Sequence, residues 1–63
     1  MKIFVELYRL ERKLSLSELS RMSGVAISHI HNIEGGLKVP SITILCKLSK
    51  ALNVPCCDLF SCD

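Results

Sequence analysis

The side chains with the most intrinsic reactivity in this chain are four cysteines, Cys46, Cys56, Cys57 and Cys62, and two histidines, His29 and His31. Adjacent Cys56 and Cys57, with Cys62 five residues beyond and Cys46 upstream, lack the paired CxxC spacing of a structural metal site. Small apolar packing is the commoner fate of such thiols, and a reducing compartment keeps them free. Two residues apart on a helix, His29 and His31 point in different directions. No Ser/His/Asp set and no pair of acids on one face supplies a nucleophile or an acid–base couple. With 63 residues and 7.0 kDa, the chain cannot hold both a core and a deep catalytic cleft. These features point away from an enzyme, a metal site, a cofactor and a small-molecule substrate. What remains is recognition by polar groups displayed on a surface.

The elements that must display them follow from the hydrophobic pattern. Hydrophobic residues make up 49% and charged residues 22%, too apolar for a disordered polyelectrolyte. The formal net charge is +2, so attraction to an acidic partner depends on the arrangement of charge. Residues 2–13 carry Ile3, Leu7 and Leu10 at helical spacing, a stripe that Leu14 continues, beside Val5 and Tyr8. Ser15-Leu16-Ser17-Glu18 is a capping box, and Leu14 and Leu19 occupy the two positions of a hydrophobic staple. The helix that starts there stops at Gly24. Ile27 to Glu34 forms another short helix whose inner face carries Ile30 and Ile33. Its other face then carries Ile27, Ser28, His29, His31 and Asn32, and Gly35-Gly36 ends it. Ser41 caps a longer helix with Ile42, Leu45, Leu48 and Leu52 on one side, closed by Asn53 and Pro55. One last turn within residues 56–60 would bring Leu59 to the core.

Five short helices make the expected fold all-α, a single domain over residues 1–63. Helix, Gly, two residues and helix leave no room for an antiparallel hairpin, so residues 15–35 predict a steeply crossed helix-turn-helix. No apolar run approaches the ~20 residues of a membrane span. Nor is there a signal-peptide core, so a cytoplasmic location is expected.

The segment Leu14 to Val25, then Ile30, Ile33-Glu34, Gly36, Pro40-Ser41-Ile42 and Leu45 to Leu52, resembles the Cro/C1-type (XRE) helix-turn-helix domain of phage and bacterial repressors. The likeness covers nearly the whole chain and implies a five-helix, lambda-repressor-like DNA-binding domain. It also implies a transcriptional regulator, a repressor in most such cases, that lays its third helix in the major groove. The resemblance places base contacts at Ile27, Ser28, His29 and Asn32. Asn32 can pair with adenine through two hydrogen bonds, Ser28 and His29 can donate or accept, and Ile27 can meet a thymine methyl. Phosphates would be held by the start of the second helix, at Ser15, Leu16 and Ser17, and by Arg12, Lys13, Gly35 and Lys38.

In the family, an Arg of the first helix pairs with the Glu that ends the third; the matching residues are Arg9 and Glu34. Repressors of this type dimerise on operators with two half-sites, mostly through the region after the fourth helix. That places the expected homodimer interface at Val54, Pro55, Cys57 and Phe60. The chain differs from the family pattern at several points. Leu16 stands where Gln commonly touches DNA, Ala26 replaces a Ser cap, and Leu7, Leu10, Ile27 and Leu37 replace polar residues. An outer stripe of Ile3, Leu7 and Leu10 marks either a partner surface or a patch covered by the tail around Phe60. Two alternatives stay open from the residues alone: a protein-interaction module on the same fold, or a cysteine-based metal- or redox-responsive regulator.

Overall fold

The computed structural model describes residues 2–61 and runs in the order β1 (Lys2–Ile3), α1 (Val5–Glu11), α2 (Leu16–Ser23), α3 (Ile27–Glu34), α4 (Ile42–Leu52), a 3-10 turn (Cys56–Asp58) and β2 (Phe60–Ser61). Four α-helices form, where the periodicity predicts five. The last element closes only as a 3-10 turn, because Asp58 and Leu59 bond back three residues, to Pro55 and Cys56. That turn still seats Leu59 fully in the core.

The first helix begins at Val5, three residues later than the stripe suggests. Lys2 and Ile3 are instead extended and pair antiparallel with Ser61 and Phe60, and the Phe4 N–H donates to the Leu59 carbonyl at 2.8 Å. Helical spacing could not reveal this, because the partner strand lies at the other end of the chain. The expected stripe is thereby divided. Ile3 and Leu14 pack against the core, whereas Leu7 and Leu10 stay exposed. The tail does fold back, but of the outer stripe it pairs with Ile3 alone. The face that α1 buries carries Val5 and Arg9, one turn apart.

Around Val5 the core is filled by Leu19, Val25, Ile30, Ile33, Leu45, Leu48, Leu52 and Leu59. On α4 the inward residues are Leu45, Leu48, Ser49 and Leu52, while Ile42, expected inside, is 68% exposed at the first turn. Ser41 caps that helix through Ile44 N–H, and Asn53 ends it in the left-handed conformation.

The α2 start shows how local chemistry fixes a helix end. Ser15 Oγ accepts from Glu18 N–H at 3.0 Å, and the Glu18 carboxylate accepts from Ser15 N–H at 2.9 Å. The backbone bond from Ser15, and then its hydroxyl, hold the Glu18 carboxyl below the ordinary carboxylate range. A lowered folded value means stabilisation that is complete above the unfolded value, near 4.3, and is lost as pH falls through the folded one. The thermal midpoint difference between wild type and Glu18→Gln should therefore stay constant from neutral pH down to that range and shrink below it. A difference that grows on acidification would contradict this assignment.

Candidate nucleic-acid interface

Everything about α3 depends on the turn before it. Gly24 adopts φ +77°, and a Cβ there would meet nothing within 4 Å, so the position selects glycine for its backbone angle rather than for space. Serine hydroxyls then fix the end of α2, two of their three bonds tying it to the turn. Ser20 Oγ donates to the Val25 carbonyl at 2.6 Å, Ser23 Oγ donates to Leu19 at 2.7 Å, and Ser23 Oγ accepts from Val25 N–H at 3.2 Å. From the sequence, Ser20 is legible only as a small residue at a helix crossing; its hydroxyl proves to be the tie between α2 and the turn. Val25 and Ile30 are both buried in the corner.

On α3, Ile30 and Ile33 are fully buried, and Ile27, Ser28 and His31 are exposed. His29 and Asn32, one turn apart, are half-buried along the flank. Among the described residues no side-chain hydrogen bond engages Ser28, His29, His31 or Asn32, so their polar atoms face outward with valence to spare. Ala26 gives the N-terminus of α3 no side-chain cap. The polar flank is open, and it sits on a rigid base.

That base is the Arg9–Glu34 pair, which the fold brings together across 25 positions of sequence. Arg9 Nε donates to Glu34 at 2.9 Å and Nη2 donates to its other oxygen at 3.2 Å, a bidentate fork between side chains 10% and 6% exposed. Nη1 donates to the Leu14 carbonyl at 2.8 Å, so one guanidinium joins α1, the start of α2 and the end of α3. The Leu14 contact has no sequence signal, since any residue supplies a carbonyl. Glu6 lies farther off, at 3.9 Å. The bond to Glu34 outweighs desolvation and keeps Arg9 charged.

The candidate phosphate ligands divide into open and engaged groups. Leu16 and Ser17 hold the first two α2 amides, which have no intrahelical acceptor, whereas the Ser15 amide and hydroxyl are both committed to the capping box. The Leu16 side chain packs partly against the core, whereas Ile27 is displayed. The Gly35 N–H donates to His31, so Gly35 offers room to a phosphate but no donor. Lys38 is exposed in the loop after α3, and Lys13 is exposed with φ +56° in the turn before α2. Arg12 is exposed and lies over the Tyr8 ring, 5.5 Å from its centroid.

The residues expected at a dimer interface fare unevenly. Val54 and Phe60 are half-buried against the core of the chain itself, and Pro55 and Cys57 are exposed. Among the described residues no group of three His, Cys, Asp or Glu side chains could hold a metal ion; Cys62 lies outside them. No helix among them is long and apolar enough to cross a membrane.

Residues 5–59 match the model of the HTH_3 helix-turn-helix family. The chain belongs to that family. HTH_3 relatives include the HTH-type transcriptional regulator SinR of Bacillus subtilis, 45% identical over 51 residues, which are 79% of this chain and 46% of SinR. SinR of Bacillus licheniformis is similar to the same extent, so the chain spans about half the length of these relatives. Among solved structures, an HTH_3 family transcriptional regulator from Vibrio cholerae superposes with a TM-score of 0.80 at 29% identity, covering 82% of this chain and 29% of that one.

Proposed function

We propose that this chain is a sequence-specific DNA-binding transcriptional regulator, a repressor, that lays α3 in the major groove and acts as a cytoplasmic homodimer on an operator with two half-sites. The observation that carries the reading is α3 itself. Ile30, Ile33 and Glu34 are locked to the scaffold, while Ser28, His29, His31 and Asn32 keep their hydrogen-bonding groups open. Such a helix meets base edges without first having to be ordered. The names of the relatives, all transcriptional regulators, support the same reading.

In this reading Ile27, Ser28, His29 and Asn32 contact bases, and the Leu16 and Ser17 amides with Arg12, Lys13 and Lys38 hold phosphates. Pro55 and Cys57 lead the partner surface, backed by Val54 and Phe60. With about two to five phosphate contacts per subunit, a dimer should lose affinity steeply with salt, with a log–log slope of roughly −4 to −9.

Selection of bound sequences from a random duplex pool tests the proposal directly. The expected result is an enriched site made of two related half-sites about 10 base pairs apart, centre to centre. Failure to enrich any sequence at low salt would instead favour a protein-interaction module. Leu37 and Val39, each about three-quarters exposed just after α3, are the residues such a module would use.

A further inference from the structure

The turn between α1 and α2 holds one cation in a fixed place. Arg12 closes α1, and its amide donates to the Arg9 carbonyl at 3.2 Å. Lys13 then turns left-handed at φ +56°. Its N–H donates to the Leu10 carbonyl at 3.0 Å, and the Leu14 N–H donates to the Arg9 carbonyl at 3.1 Å. These two bonds are the pair that closes a helix on a left-handed residue, so they pin the backbone on the far side of Arg12 as well. The turn is also tied to the end of α3, because the Arg9 side chain holds both the Leu14 carbonyl and Glu34.

The Arg12 side chain is held at its far end too. Its guanidinium lies 5.5 Å from the centroid of the Tyr8 ring, and Nη1 donates to the Tyr8 carbonyl at 3.3 Å. Tyr8 is half-buried and packs against the core, so the platform is itself anchored. The ring attracts the face of the guanidinium, whereas hydrogen bonds leave in its plane, so stacking and donation do not compete. Arg12 remains exposed, with the rest of its donors open. Among the described residues no side-chain bond engages Lys13 or Lys38.

We propose that Tyr8 is a positioning residue for DNA: its ring keeps the Arg12 guanidinium ordered in advance, so that Arg12 meets a phosphate without first losing its rotamer freedom. The inference rests on the DNA-binding reading above and makes Arg12 the strongest of the three phosphate cations. Its planar fork can grip two oxygens of one phosphate while its face stays on the ring. Lys13 and Lys38 must instead be ordered as they bind, which costs affinity.

The test titrates the full chain, Tyr8→Leu, Arg12→Ala and the double variant against a duplex of random sequence over a range of salt, with thermal melting of each. Tyr8→Leu should weaken binding roughly 2- to 10-fold per subunit, the ordering cost of one side chain. The log–log salt slope should not change, because no charge is lost. Arg12→Ala should weaken binding and reduce the slope by about one per subunit. In the Arg12→Ala background, Tyr8→Leu should have no further effect on affinity, a coupling that a merely structural tyrosine would not show. Tyr8→Phe keeps the ring face and should restore wild-type binding. Equal losses from Tyr8→Leu with and without Arg12, no loss at all, or tighter binding once the ring is gone would overturn the proposal and leave DNA binding standing. A wild-type chain that binds no duplex at low salt would overturn that reading and this inference together.

Discussion

Arg9→Ala is expected to remove a large share of the chain's stability at 25 °C. A domain of this length has roughly 3–9 kcal/mol of total stability, and removing one partner of a buried ion pair costs about 3–5 kcal/mol because the other charge is stranded. Glu34 would be that stranded charge, with a side chain 6% exposed and no second ion pair among the described residues. The Leu14 carbonyl would lose its donor as well. Glu34→Ala should do less harm, since the guanidinium keeps Leu14 and has Glu6 at 3.9 Å to turn to. The double variant Arg9→Met with Glu34→Leu should recover most of the loss, because well-packed apolar pairs often match or exceed a buried salt bridge. Urea denaturation of the four proteins checks all of this. If Arg9→Ala loses less than about 1 kcal/mol, the pair does not anchor α3, since even an exposed pair can contribute that much.

Asn32→Ala is expected to weaken binding to the selected operator by about 5- to 150-fold, corresponding to 1–3 kcal/mol for one bidentate base contact. The loss should appear as relaxed preference at a single base position in each half-site, with the salt slope and the affinity for random DNA unchanged. Lys38→Ala should do the opposite, weakening all sequences alike and reducing the slope by about one per subunit. Comparing the two by titration against selected and scrambled duplexes separates base reading from phosphate anchoring. Asn32 is half-buried, so thermal melting must accompany the titration. Equal losses on both duplexes would remove Asn32 from the base-reading set.

Several parts of this protein were legible without coordinates, and they share a physical cause: each depends on residues within one or two helical turns. The Ser15–Glu18 box, the Gly24 stop, the Ser41 cap and the isoleucine face of α3 are short-range patterns of hydrogen-bonding chemistry and period. The juxtaposition of α2 and α3 follows as well, because so short a turn leaves few ways to bury both apolar faces. Tertiary structure decided what joins distant segments. Ile3 carries a perfectly helical spacing yet becomes a strand, because its backbone is paired with Phe60 from the far end of the chain. Ile42 fits the α4 stripe but lies outward at the first turn, where the packed surface has ended. The third arm of Arg9 lands on a main-chain carbonyl that no side-chain pattern can signal.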